Sequence, residues 1–171
     1  MLGAMSVNGL VGERGGTVSV VALVVFVGLS VGAAALGGLF TARGVAAWYP
    51  TIAKPEWTPD PSVIGAAWTI LYPVIGLVGW LIWRAGPSRA VTLALVLWAV
   101  QMALNAAWSG LFFGARSPGL AFAGIVLLWL AILGTVLAAW RPSPTASLMF
   151  VPYLAWVSFA GALNLAIWRL N

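Results

Sequence analysis

The side chains able to do chemistry in this chain are few, and their spacing is more telling than their number. Gln101, Asn105, Trp108 and Phe112 recur at intervals of three and four residues. Gly65, Trp68, Tyr72, Gly76 and Gly79 do the same, and Pro152, Trp156, Ala160 and Asn164 follow one another at intervals of four. On a helix each set forms a single stripe. There is no Cys and no His, and only Glu13, Glu56 and Asp60 carry carboxylates, none of them inside an apolar run. Thiol chemistry, zinc or other metal centres and histidine ligation of haem iron are therefore not expected, nor is a carboxylate proton relay of the kind pumps use. What remains is noncovalent: indole and phenol faces that stack, and amides that hydrogen-bond. A pocket of that make-up suits a large, flat, apolar ligand held by stacking and dispersion. It needs no cofactor.

A plainer reading competes with the pocket. Small residues let helices approach and buried amides join them, so the stripes can equally be packing surfaces, with an Asn105–Asn164 bridge as the natural pairing. Depth separates the tryptophans. Trp48, Trp83, Trp140 and Trp168 fall at the ends of apolar segments, where an aromatic belt accounts for them. Trp156 lies about 12 residues inside its segment, roughly 18 Å at 1.5 Å per residue, too deep for a belt. Trp68 and Trp108 lie about one turn inside the same boundary.

The elements that must position these stripes are membrane helices. The chain is 63% hydrophobic and 6% charged, with a mean hydropathy of +1.05, whereas soluble domains carry about 25% charged residues. A spanning helix needs about 20 apolar residues, and five segments qualify: 18–40, 64–83, 90–113, 119–140 and 147–168. Tight breaks containing Gly or Pro beside Arg separate the later segments, so successive helices should be antiparallel neighbours. The predicted fold is an all-α membrane protein, a single bundle of five transmembrane helices over residues 18–171 with one long loop between the first and second. Residues 1–17 read as an N-terminal extension. A cleaved signal peptide ending at Ala33-Ala34-Ala35 is the alternative for the first segment, but apolar sequence runs on through Phe40. The eight cations are dispersed, which suits lipid headgroups rather than nucleic acid. They divide equally between the two faces, Arg14, Arg84, Arg89 and Arg141 against Arg43, Lys54, Arg116 and Arg169, and leave orientation open. Gly28-x-x-x-Gly32 and Gly110-x-x-x-Gly114 fit a helix-dimer motif, so a homodimer is expected.

The long loop is costly. Between Trp48 and Tyr72 the chain places three Trp, four Pro and two of its three carboxylates. Pro55, Pro59 and Pro61 stiffen it, and Trp57 should fold back on the helix ends, making a lid. The alternative is an interfacial loop with Trp57 among headgroups and Lys54 snorkelling.

At these residues the chain resembles the TspO/MBR family, also called the translocator-protein or peripheral benzodiazepine receptor family. Three motifs carry the resemblance. The first is Trp48-Tyr49, Lys54-Pro55-x-Trp57-x-Pro59 and Gly65-x-x-Trp68-x-x-Leu71-Tyr72. The second is Gln101-x-x-Leu104-Asn105-x-x-Trp108 with Phe112-Phe113. The third is Pro152-Tyr153-Leu154-Ala155-Trp156, Phe159-Ala160, Leu163-Asn164 and Trp168-Arg169. The resemblance implies a five-helix protein of the bacterial cell membrane, commonly dimeric, that binds porphyrin, haem-related or sterol-like ligands among its helices beneath the first loop. Residue by residue it implies a ligand site of Tyr49, Pro59, Ile64, Gly65, Trp68, Asn105, Trp108, Trp156, Ala160 and Leu163. The family usually has two consecutive prolines where this chain reads Pro59-Asp60-Pro61, so the loop should differ there. The cholesterol motif proposed for animal members needs a Tyr shortly before Arg169, and Leu163-Asn-Leu-Ala-Ile-Trp supplies none.

Three functions are consistent with these residues. A tetrapyrrole sensor, carrier or regulator needs only the pocket and a gate, with Arg43 and Lys54 placed to meet propionates. A light- and oxygen-dependent enzyme degrading protoporphyrin IX would use Trp68 and Trp156, the pair that the resemblance implicates. A transporter of porphyrin or sterol-like molecules is the third, although a coupled one lacks intramembrane carboxylates and repeat symmetry.

Overall fold

The computed structural model describes the backbone of residues 8–171 and the side chains from Gly16 onward, apart from that of Arg43. Residues 1–7 of the segment read as an N-terminal extension, the side chain of Glu13 and the proposed role of Arg43 toward propionates lie outside the described residues.

Five helices are long and apolar enough to cross a membrane. They are α1 (Asn8–Ala47), α2 (Pro61–Arg84), α3 (Arg89–Ser109), α4 (Pro118–Ala139) and α5 (Pro144–Leu170). A π turn, Gly110–Gly114, continues α3, and a 3-10 turn, Tyr49–Thr51, opens the loop after α1. The starts follow local chemistry. Pro occupies the first turn of α2, α4 and α5, where its missing N–H costs nothing, and Ser88 Oγ accepts from Val91 N at 3.2 Å to cap α3. Both ends of α1 differ from expectation: it begins at Asn8, within the stretch read as an extension. Helix α1 continues past Phe40 to Ala47, so Arg43 belongs to a helix and not to the loop. The first strong breaker is Pro50, and Gly44 is tolerated mid-helix because α1 presses there against Phe113: an added Cβ would sit 2.5 Å from Phe113 Cβ.

The helices close a ring in the order α1–α2–α5–α4–α3, with α1 and α3 completing the circle. Helices α2 and α3 are joined by a tight turn yet touch only sparsely, so in this one case chain neighbours are not the main packing partners. Glycines set the close approaches. A Cβ on Gly76 would lie 2.6 Å from Val27 Cα, and one on Gly79 would lie 2.7 Å from both Phe26 and Trp98. These contacts hold α1 to the far half of α2, together with Ser30 Oγ donating to the Tyr72 carbonyl and Trp80 Nε1 donating to Ser19 O at 2.8 Å. On its loop-side half α1 leans on α3 instead, through Gly37 beside Ser109, Gly44 beside Phe113 and Phe40 beside Gly114. Gly110 and Gly114 are thus used inside the chain, whereas a Cβ on Gly28 or Gly32 would meet nothing within 4 Å.

The buried core fills the far half of the ring with Ile75, Val78, Ile82, Trp98, Leu128, Ile132, Phe150 and Val157. Leu, Val and Trp on the outer faces, among them Leu127, Leu137, Trp140 and Trp168, stay exposed, as lipid-facing surfaces require. Because Val27 backbone occupies the space beside Gly76, the variant Gly76→Leu should lose about 3 kcal/mol of stability, the upper range for overpacking. The variant Ala103→Leu, which adds bulk on an exposed face of α3, should match the parent. Thermal unfolding in detergent measures both.

Candidate functional site

The loop-side half of the ring is hollow. A cavity of about 380 Å³, within the range of small-molecule sites, lies beneath the loop and is bounded by α1, α2, α3 and α5. Trp68 and Trp156 form its aromatic corner. Their ring centroids are 6.5 Å apart with planes at 89°, so a flat ligand lying on one indole meets the edge of the other. Tyr72 extends the Trp68 side at 5.3 Å, and Phe159 extends the Trp156 side at 5.6 Å. On the opposite wall Trp108 and Phe112 stack at 5.3 Å and 25°.

The π turn brings Phe112 and Phe113 to this wall together. Its defining bond runs from Ala115 N to Gly110 O at 2.7 Å, five residues back, and π insertions of this kind frequently mark functional sites. Phe112 and Phe113 both line the cavity and hold the loop: Trp48 packs on Phe112 at 5.5 Å, and Tyr49 lies 5.9 Å from Phe113.

Tyr72, Asn105, Trp108 and Asn164 in the walls are bonded within the protein. Tyr72 Oη donates to Asn105 Oδ1 at 2.9 Å, Asn105 Nδ2 donates to Tyr153 Oη at 2.7 Å, and Tyr153 Oη donates to Gln101 Oε1 at 2.9 Å. This chain of bonds ties α2, α3 and α5 together under the cavity floor. Trp108 Nε1 donates to Asn164 Oδ1 at 2.9 Å, and Asn164 Nδ2 donates to Pro118 O at 2.8 Å. The expected Asn105–Asn164 bridge is therefore not made; each amide is taken by aromatic hydroxyl or indole groups on facing helices. Two buried donors have no partner, Gln101 Nε2 and Trp156 Nε1. The Tyr153 hydroxyl has a single proton to give, so turning the Gln101 amide over would only exchange an orphaned N–H for an orphaned carbonyl. Trp156 lines the cavity with its ring while its unpartnered N–H is buried, and the wall bears no charged side chain among the described residues.

Nine of the ten residues expected from the sequence line this cavity: Tyr49, Ile64, Gly65, Trp68, Asn105, Trp108, Trp156, Ala160 and Leu163. Pro59 does not, and Pro61 takes its place. The cause is Asp60, whose carboxylate accepts from Ser62 N at 2.8 Å and from Ser62 Oγ at 2.6 Å. That makes Asp60 the N-cap and Pro61 the first residue of α2, leaving Pro59 outside. Sequence reasoning missed the α1 wall, formed by Ala34, Gly37, Gly38, Thr41 and Val45. No amide or aromatic marks that face; only its run of small residues signals it.

The lid is fastened rather than loose. Lys54 Nζ donates to the carbonyls of Tyr49 at 2.8 Å and Ile52 at 2.9 Å and lies 4.9 Å from the Tyr49 ring centroid. It is turned into the loop, so the expected approach of Lys54 to ligand propionates is not what the geometry shows. Asn171 holds the same loop from the end of α5: Ala53 N donates to Asn171 Oδ1, and Asn171 Nδ2 donates to Ala53 O, each at 3.0 Å. Trp57 is 51% exposed and turns its ring to Phe159 at 5.8 Å, so it folds back onto α5 with half its surface free. Burial raises the Tyr49 phenol above its ordinary 10.0, so its hydroxyl stays protonated at neutral pH.

Replacing Asn171 with Ala removes its two bonds to Ala53 and should speed hydrogen exchange at the Ala53 amide at least tenfold, read by mass spectrometry of loop peptides. The Asp60 cap gives a pH test. Hydrogen bonds from the Ser62 hydroxyl and then the Ser62 amide hold the carboxyl below its usual 3.8, so the cap is intact above that value and is lost as pH falls through the depressed one. The thermal midpoint should drop on acidification below 3.8, and Asp60→Asn should flatten that dependence.

Comparison with known proteins agrees with this geometry. The sequence model of the TspO/MBR family matches residues 23–169. The chain is 39% identical over 159 residues to the Tryptophan-rich protein TspO of Chlorobaculum tepidum, covering 89% of this chain and 97% of the relative. It is 37% identical over 140 residues to Protein CrtK of Rhodobacter capsulatus, covering 81% and 86% respectively. It is 39% identical over 142 residues to the Translocator protein of Sus scrofa, covering 80% and 84%. The five membrane-spanning helices, the tryptophan-walled cavity beneath the first loop and these matches together place the chain in the TspO/MBR family, as an integral multi-pass membrane protein.

Proposed function

We propose that the protein is a membrane receptor or carrier for a tetrapyrrole, porphyrin or haem-related, held in the cavity beneath the loop. The observation that carries this reading is the perpendicular Trp68–Trp156 corner at the cavity wall. Two aromatic planes at right angles grip a broad flat ring by one face and one edge, and each such contact contributes about 0.5–1.5 kcal/mol beyond burial. A sterol-like ligand would use the apolar walls but not this aromatic corner as fully. The expected homodimer belongs to the same proposal.

A second reading, light- and oxygen-dependent degradation of protoporphyrin IX, draws on the same corner. It would bring a photosensitising ring against electron-rich Trp68 and Trp156, with Tyr72 at 5.3 Å and Tyr153 at 6.2 Å from Trp68.

Titration of purified protein with protoporphyrin IX should quench tryptophan emission, and Trp156→Ala should weaken the Kd about tenfold, about 1.4 kcal/mol. Absence of quenching beyond that of an unrelated membrane protein would remove the binding reading. For the second reading, illuminated porphyrin should bleach more slowly with Trp68→Phe/Trp156→Phe than with the parent. Equal rates for both proteins and for empty detergent would eliminate it and leave binding intact.

A further inference from the structure

We propose that ligand reaches and leaves the cavity sideways from the lipid, through a window between the loop-side halves of α1 and α2 whose width Gly38 and Gly65 set. The proposal rests on the reading of the cavity as a flat-ligand site.

The window follows from how α1 is held. Its contacts with α2 gather at one end, where Gly76 meets Val27, Gly79 meets Phe26, Ser30 bonds the Tyr72 carbonyl and Trp80 bonds Ser19 O. Beyond Ser30 the helix leans the other way, onto Ser109, Phe113 and Gly114 of the α3 side. The two helices therefore diverge toward the loop. The cavity wall shows the result. The lining residues left exposed are Gly38 on α1 with Pro61 and Gly65 on α2. A Cβ added at Gly38 or at Gly65 would meet nothing within 4 Å.

The other routes are obstructed. The Trp108–Asn164 bond joins α3 to α5, and the Trp68–Trp156 contact joins α2 to α5. Above, the loop is fastened by Lys54 to its own carbonyls and by Asn171 to Ala53. A flat apolar molecule partitions into the hydrocarbon, so an opening on that side meets it at high local concentration. Charged, water-soluble ligands would have to shed hydration to use it, which makes the window a selector for membrane-dissolved molecules.

The test uses the protein in liposomes with protoporphyrin IX dimethyl ester dissolved in the bilayer, followed by time-resolved quenching of tryptophan emission. The double variant Gly38→Leu/Gly65→Leu places two branched side chains across the window and should slow association and release together, each at least tenfold. Ala103→Leu, on an exposed face of α3 away from the window, should keep the parent rates and controls for added bulk. Unchanged rates in the double variant would overturn the window, as would faster release with unchanged association, which marks leucines filling the cavity instead of guarding it. Faster association in Asn171→Ala with no effect of the leucines would move access to the lid and overturn it equally. A parent protein that shows no quenching at all would remove the flat-ligand reading, and the window with it.

Discussion

The approach of the α2 backbone to α1 at Gly76 and Val27 is the contact on which the remaining geometry turns. A helix pinned to one neighbour at one end and to another at the other end cannot run parallel to both. Pinned to α2 by Gly76 and Gly79, and to the α3 side by Gly37, Gly44 and Gly114, α1 crosses the bundle obliquely. The far half of the ring then closes into a packed core, and the loop-side half is left wide. In lipid no hydrophobic effect drives helices together, so approach distance, governed by side-chain size, decides the packing. The position of the cavity is therefore written in where the glycines contact backbone and where they contact nothing.

Amides and indoles complete the frame from within. Each buried polar group in hydrocarbon costs free energy unless it finds a partner, and here the partners come from other helices: Tyr72 to Asn105, Tyr153 to both amides of α3, Trp108 to Asn164. Because these bonds satisfy the amides of the wall together with Tyr72 and Trp108, the cavity surface behaves as largely apolar even where its residues are not. Selection there rests on shape and on the aromatic faces. The lid follows the same economy, since Lys54 spends its charge on loop carbonyls and leaves the site neutral.

Much of this was legible in the sequence. The five helices announced themselves through hydropathy, and the stripes through Trp68, Tyr72, Asn105, Trp108 and Trp156 gave most of three walls. The two readings of those stripes, packing and pocket, turn out to be divided by depth. On α2, Gly76 and Gly79 pack while Gly65 and Trp68 face the cavity, a distinction that spacing along one helix cannot make. Four things escaped. The α1 wall is built of Ala34, Gly37 and Gly38, residues whose role depends on a partner absent from their own periodicity. The Asn105–Asn164 pairing failed because tyrosine and tryptophan reach further across a helix interface than a second amide does. The shift from Pro59 to Pro61 was visible as a departure at Asp60, but its effect depended on that carboxylate capping α2. The extension of α1 to Ala47 was hidden by Arg43, which reads as a boundary and sits within a helix.

The π turn at the end of α3 has a consequence for how this chain can change. A π turn is an α turn with one residue more, so the segment from Gly110 to Gly114 carries an insertion that the backbone absorbs through the bond from Ala115 to Gly110. Remove a single residue there and a regular helix forms, locally more favourable, in which Phe112 and Phe113 cannot both keep their places on the wall. Phe113 would then leave both Gly44 and Tyr49, and one deletion would cost α1 its seat and the lid its support. A stretch of otherwise ordinary apolar residues is in this way less tolerant of length change than of substitution.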